Sequence, residues 1–264
     1  MTQHLVQFSG GVGSWAAAKR VAAQHGTENL TLVFADTLME DPDLYRFLEE
    51  AAANVGGRLI RIAEGRTPWE VFADKRFLGN SRVDPCSRIL KREFLDAWRA
   101  ERFDPADTIV YLGIDWTEEH RYLRAIPRFL PWKLAAPLCE PPFISKAQML
   151  ADLEANGIKP PRLYELGFPH NNCGGFCVKA GHSQFKLLLQ TMPDRYAEHE
   201  AQEERLRAVL GDVSILTDRR GDNKKKPLTL KTFRQRVEQG EAVDRFDWGG
   251  CGCAIDDSAD LGPP

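Results

Sequence analysis

Short apolar runs alternate with longer stretches whose apolar residues recur at helical spacing, and this alternation organises the first half of the chain. Residues 5–8, 30–35, 58–63 and 108–114 read as strands. Between them, residues 15–23 are rich in alanine. Residues 41–55 carry Leu44, Phe47, Leu48 and Ala51 along one side, and residues 87–99 do the same with Ile89, Leu90, Phe94 and Trp98. Strands that alternate with helices of this length form a parallel sheet covered on both faces. The pattern predicts an α/β fold with a doubly wound parallel sheet, its functional loops lying at the carboxyl ends of the strands.

Past residue 140 the pattern changes. Residues 145–156 read as a helix with Ser145 as N-cap and Gly157 where a C-cap belongs. A loop rich in Gly, Asn and Cys occupies 167–181, helices broken near Pro193 follow over 182–210, and 228–239 is a last helix. The stretch 218–226 is polar and reads as a mobile loop, and 248–254 is a Gly/Cys turn. The expected organisation is an α/β domain over 1–142, a mostly helical, cysteine-containing region packed on it over 143–255, and a flexible tail over 256–264. With 35 Lys+Arg against 38 Asp+Glu, the net charge of −3 gives no global field that draws the protein to nucleic acid or an anionic membrane. No apolar run is long enough to span a bilayer and the N-terminus lacks a signal-peptide pattern, so a cytoplasmic protein is expected. In that compartment its six cysteines suggest thiols, metal ligation or catalysis rather than structural disulfides.

The sharpest motif is Ser9-Gly10-Gly11-Val12-Gly13-Ser14, between the first strand and the first helix. Glycines allow a tight turn and close approach to oxygen atoms, while free N–H groups and the helix dipole favour an anion. The loop lacks the Lys-Ser/Thr ending of a Walker loop and the third glycine of the dinucleotide pattern. A plain helix-capping turn is the competing reading.

This loop resembles the pyrophosphate loop of N-type ATP pyrophosphatases and of the related phosphoadenylyl-sulfate (PAPS) reductases, in the adenine nucleotide alpha-hydrolase superfamily. Phe34-Ala35-Asp36-Thr37 sits where that family places residues around adenosine. Cys86-Ser87-Arg88-Ile89-Leu90-Lys91 resembles its Cys-Cys-x-x-x-Lys helix start, with Ser87 in place of the second cysteine. The stretch from Gly113 to Arg121 is similar to its Gly-Ile segment. The resemblance covers residues 4–180 and implies a five-stranded sheet of the superfamily type. It also implies nucleotide contacts from Ser9, Gly10, Gly11, Gly13, Ser14, Phe34, Asp36, Thr37, Gly113, Glu118 and Arg121, with Lys91 and Arg88 reaching a phosphate or sulfate. Gly13 replaces an aspartate that many pyrophosphatases use to handle metal-bound pyrophosphate. Gly249-Gly250-Cys251-Gly252-Cys253 stands where reductases carry Glu-Cys-Gly-x-His.

His170-Asn171-Asn172-Cys173-Gly174-Gly175-Phe176-Cys177 is a loop in which two thiolates could converge on a soft metal. Cluster-bearing reductases hold a 4Fe–4S centre with cysteines at places matched by Cys86, Cys173 and Cys177, and Cys253 or Cys251 would be the fourth ligand. Zinc completed by His170 or His182, or inert thiols, are the alternatives. Cys139 reads as core, His199 as part of an exposed helix face, and the basic residues Arg219, Arg220 and Lys224 to Lys226 as a surface loop.

The leading expectation is an enzyme acting at the α-phosphate of an adenine nucleotide: ATP, with Mg²⁺, cleaved to AMP and pyrophosphate as an acceptor is activated in sulfur transfer or in nucleotide or nucleic-acid modification. The alternatives are thiol-dependent reduction of PAPS or adenylyl-sulfate, with Cys251 as nucleophile and a thioredoxin-like reductant, and a nucleotide sensor without turnover. A sulfur-donor protein or a nucleic-acid acceptor would be the partner of the first. The oligomeric state is left open.

Overall fold

The computed structural model describes residues 1–218, 220 and 226–250. Five parallel strands, β1 (Gln3–Gln7), β2 (Leu30–Asp36), β3 (Arg58–Ala63), β4 (Thr108–Tyr111) and β5 (Lys133–Ala135), form one sheet in the order β3-β2-β1-β4-β5. Winding outward from β1 to β3 and then returning to β4 on the other side of β1 leaves a crevice above the carboxyl ends of β1 and β4. The α/β doubly wound architecture is the one expected.

Alternation along each strand sends side chains to two cores. Val6, Leu32 and Phe34 pack against α1 (Val12–His25) and α2 (Pro42–Val55), whereas Leu5, Val33 and Val110 face the opposite layer. α2 starts after Asp41, whose carboxylate accepts the Asp43 N–H at 2.9 Å. α3 (Pro68–Lys75) has a capping box formed by Thr67 and Glu70. The expected helix at 87–99 begins earlier, at α4 (Pro85–Ser87). It widens into a π-helical stretch (Arg88–Glu93) and closes as α5 (Phe94–Ala100), whose Leu95 and Trp98 cover the second face together with α6 (Glu119–Phe129). The apolar run from Leu134 to Leu138 is divided between two elements: β5 ends at Ala135, and a single 3₁₀ turn, Pro137–Cys139, follows.

The remaining chain builds a third core. α7 (Lys146–Ala155), with Ser145 and Gln148 as its capping box, packs Met149 and Leu153 onto the α1 layer. α8 (Arg162–Glu165), α9 (His182–Thr191) and α10 (Pro193–Leu210) enclose Leu163, Phe176, Phe185 and Tyr196 together with Trp69 and Phe72 of α3. The polar stretch 218–226 is bracketed by β6 (Leu216–Asp218) and β7 (Lys226–Leu228), an antiparallel pair, before α11 (Leu230–Glu238). Arg219, Lys224, Lys225 and the tail 256–264 lie outside the described residues. Among the described residues no helix is long and apolar enough to cross a membrane.

His199 is a correction. It is buried, stacks on Phe176 with ring centroids 3.7 Å apart, and accepts the Trp69 indole N–H at 3.0 Å. Burial pushes its pKa down to about 3, with Arg195 adding to the shift. Acidic neighbours at 198 and 200 disguise it, because only one face of α10 meets the third core.

Candidate functional site

A cavity of about 510 Å³ opens at the crevice above β1 and β4. Its floor is the loop from Ser9 to Ser14. Gly10 holds φ +76°, and a Cβ there would sit 3.0 Å from Leu44 Cγ. Gly13 lies so close to the loop after β4 that a Cβ would meet the Gly113 carbonyl oxygen at 2.8 Å, and one on Gly113 would meet Ser14 backbone at 2.6 Å. Gly13 is therefore set by close backbone approach, and no side chain fits there. The Ser14 hydroxyl turns inward and donates to Gly11 O at 2.8 Å, whereas Ser9 is exposed at the rim.

Two residues from far along the chain hold this loop. The Val12 N–H, at the start of α1, donates to the Tyr164 hydroxyl at 3.3 Å, and the buried Asn171 amide donates to Gly10 O at 2.8 Å. Both also line the cavity, as do His170, Asn172 and Lys146. Lys146 extends over the Tyr164 ring at 4.3 Å and donates to Pro169 O. The residue is exposed at the surface, but its ammonium end is desolvated, which pulls its pKa below the usual lysine range against the opposing pull of Asp115 and Glu118. No motif marks these residues, because their spacing to the glycine loop exceeds one hundred positions. The only local signal is the Asn pair beside Cys173.

Of the expected nucleotide contacts, Ser9, Gly11, Gly13, Ser14, Phe34, Gly113, Glu118 and Arg121 line the cavity, and so does Lys91. Glu118 and Arg121 form an ion pair with each other. Gly10, Asp36 and Thr37 lie behind the lining. Asp36 is fully engaged: one oxygen accepts the Leu38 N–H at 2.8 Å and the Tyr45 hydroxyl at 3.0 Å, the other the Arg61 Nε–H at 2.8 Å. Burial and the Asp36 charge push Tyr45 up to about 12. Arg88 points outward to Glu93 at 3.6 Å with a half-exposed side chain, away from the cavity. The π-helical stretch brings Lys91, three residues later, inward instead.

Lys91 is linked to the cysteine loop through a residue that sequence reading missed. Its Nζ lies 3.4 Å from Glu40 Oε1, which also accepts the Thr37 hydroxyl at 3.0 Å. The second Glu40 oxygen accepts the Cys173 backbone N–H. Glu40 is buried, so this carboxylate is confined among a lysine, a hydroxyl and a backbone amide.

Cys86 is buried in the third core, and the half-buried Cys177 packs against that core. Cys173 adopts φ +50° at the head of its loop, followed by Gly174 at φ +57°, where a Cβ would lie 2.0 Å from Arg195 Cζ. Arg195 braces the loop by donating to Met39 O at 2.6 Å and Glu40 O at 3.2 Å. Downstream, Gly250 donates to Lys179 O at 3.1 Å and Gly249 bridges Ala180, so the last described residues run beside the segment that follows Cys177. Cys251 and Cys253 lie outside the described residues. Among the described residues no group of three or more His, Cys, Asp or Glu is placed to hold a metal ion. His170 lies in the cavity lining, while His182 Nε2 lies 3.1 Å from Thr217 O. Cys139 lies against Ile114 O at 3.5 Å, and burial pushes its thiol up to about 11.

No family model matches the chain, and no curated protein matches it. Among solved structures the chain is similar to a phosphoadenylyl-sulfate (PAPS) reductase from Candida auris in a phosphate complex. That likeness has 21% identity and a TM-score of 0.44, and covers 62% of this chain and 78% of that one.

Proposed function

We propose that the crevice binds an adenine nucleotide and that the protein acts at its α-phosphate, cleaving ATP to AMP and pyrophosphate while an acceptor is activated. The observation that supports this reading is the shared cavity of the glycine loop at the start of α1 and the buried Lys91. In this reading residues 1–142 carry the nucleotide. Loop amides and the dipole of α1 fix the phosphate oxygens. Lys91 Nζ supplies positive charge where negative charge grows in the transition state, at a position held by Glu40 before substrate arrives. Phe34 and Ala35, at the end of β2, offer an apolar wall to the adenosine.

Incubation with Mg²⁺ and ATP, with AMP and pyrophosphate as readout, tests the proposal. Lys91→Ala is expected to lower turnover about 100-fold or more, the scale of losing one electrostatic donor. Nucleotide binding with no turnover in the presence of candidate acceptors would leave a sensor. A second reading, reduction of a sulfonucleotide, is favoured by the Lys91–Glu40–Cys173 connection, which ties the thiol loop to the nucleotide cavity. Sulfite released from PAPS with a thiol donor would select it. The thiols available to an iron–sulfur cluster or zinc are Cys86, Cys173 and Cys177 with Cys251 or Cys253. The described residues alone do not compose such a site, and no step here runs through a metal. Iron, sulfide and zinc analysis of anaerobically purified protein tests that assignment.

A further inference from the structure

Among the described residues, three Lys and Arg side chains line the cavity, and two are already matched by carboxylates: Lys91 by Glu40 and Arg121 by Glu118. Lys146 is the third, and no carboxylate of the described residues stands within ion-pair distance of it. Its ammonium is held instead by an aromatic face and a carbonyl. Nζ lies 4.3 Å from the centre of the Tyr164 ring and donates to Pro169 O, and neither carries a counter-charge. Asp115 and Glu118 act on it only at longer range, and desolvation outweighs their pull, so its pKa lies below the usual lysine range. A cation drawn partly out of water without a counter-ion is costly unless an occupant supplies one. The surroundings add to the positive field. Lys146 is the first residue of α7, and α1 and α7 both bring their amino ends to the cavity, through Val12 and Gly13 on one side and Ser145 and Lys146 on the other. Tyr164 ties the two together: its ring carries Lys146, and its hydroxyl accepts the Val12 N–H at 3.3 Å.

We infer that Lys146 binds the terminal phosphates of the nucleotide and the pyrophosphate formed from them, with Tyr164 as the residue that positions it. The inference rests on the proposed function for the identity of the occupant, and it divides the work between two lysines. Lys91, held by Glu40, serves the α-phosphate, and Lys146 serves the group that leaves. When an acceptor oxygen bonds to the α-phosphorus, the bond from that phosphorus to the α–β bridging oxygen breaks, and its electron pair stays on the departing pyrophosphate. The Lys146 ammonium meets that added charge without reorganising, since ring and carbonyl already hold it. Lys146 thereby sets a preference for an occupant with β- and γ-phosphates over a monophosphate. The rival role is a brace, in which the bond to Pro169 O merely joins α7 to the segment that leads to Asn171. A brace has no means of telling pyrophosphate from AMP.

Calorimetry with inorganic pyrophosphate, AMP and ATP, each with Mg²⁺, separates the two roles. Lys146→Gln is expected to weaken pyrophosphate and ATP binding about tenfold or more, the scale of one charge-assisted hydrogen bond, and to change AMP binding less than about twofold. Lys146→Arg, which keeps the charge, is expected to recover part of the loss. A second readout uses the unaltered protein: pyrophosphate should shield Lys146 from acylation by an amine-reactive ester, followed by peptide mass spectrometry, and AMP should not. Three results would overturn the inference: no pyrophosphate binding by the unaltered protein, equal effects of Lys146→Gln on AMP and pyrophosphate, or acylation of Lys146 that pyrophosphate leaves unchanged. Cleavage of ATP to AMP and pyrophosphate, with pyrophosphate bound as tightly by Lys146→Gln as by the unaltered protein, sinks this inference alone. Binding of ATP and pyrophosphate that depends on Lys146, with no cleavage in the presence of candidate acceptors, sinks the proposed turnover alone.

Discussion

Gly13 shows how a single residue acquires its meaning from what lies opposite. In the sequence it reads as an aspartate lost from a metal-handling loop, whereas in the fold it faces the Gly113 carbonyl at a distance no Cβ tolerates. Gly13→Ala is expected to force the loop after β4 away from α1. The expected stability loss is about 1–3 kcal/mol, with weaker nucleotide binding, measured by urea unfolding and calorimetry. The glycine loop, Phe34, Lys91 and Arg121 were legible because motif and strand order place them together. Tyr164, Asn171 and Glu40 were not, because contacts across the tertiary fold leave no periodic trace. Asp36 was legible as polar, yet its bonds to Tyr45 and Arg61 are set by neighbours on α2 and β3. Glu40→Gln tests the missing link. One oxygen is replaced by an amide, so either the Lys91 contact or the Cys173 N–H is left facing a donor. A fall in turnover with unchanged circular dichroism is the expected outcome.

Among the elements, the α9–α10 pair was drawn correctly in outline, with its break at Pro193, but the inward face of α10 was not readable, because buried His199 and Glu203 look like solvent-facing residues. Glu203 staples α10 to the segments before β6 and at the start of α11 by accepting the Ile215 N–H at 3.0 Å and the Leu230 N–H. Burial pushes its pKa up from 4.5 to about 7, so the folded state holds this proton more tightly and its contribution to stability declines as pH rises from 4.5 to 7. His199 acts in the opposite direction. Its pKa falls from 6.5 to about 3, so its contribution is complete above 6.5 and is lost as pH falls toward 3. Between pH 4.5 and 6.5 the two slopes oppose, which predicts a plateau in unfolding free energy from these groups, with decline below 4.5. His199→Phe should expose the Glu203 slope, so that stability rises by about 3 kcal/mol on acidification from pH 7 to 4.5. Chemical denaturation across that range checks it, and a slope of the opposite sign refutes it. The short β5 and the 3₁₀ turn after it were blurred in the sequence because Leu134 to Leu138 is apolar throughout, which periodicity alone cannot divide.

For the whole molecule, the alternation of strands and helices made the sheet legible, since both of its faces are buried, while the third core was not, since it gathers α3 from the first half with helices from the second. The cavity joins these regions, with the glycine loop on one side and Lys146, Tyr164 and Asn171 on the other. A nucleotide held there should stabilise both together. At a ligand concentration one hundred times Kd, the gain is expected to be about 2.7 kcal/mol, read as one cooperative shift of the melting transition. Tyr164→Ala should reduce that shift, and a ligand-dependent transition confined to the N-terminal half would contradict the arrangement. The Val12–Tyr164 and Asn171–Gly10 bonds span 152 and 161 positions, so the glycine loop gains its supports only once the chain has been made as far as Asn171. A ribosome-bound chain that has emerged as far as β5 possesses every glycine of the loop but neither of its props. In such a chain the glycine turn stands without the contacts that fix its shape, so its final geometry waits on the arrival of α8 and Asn171.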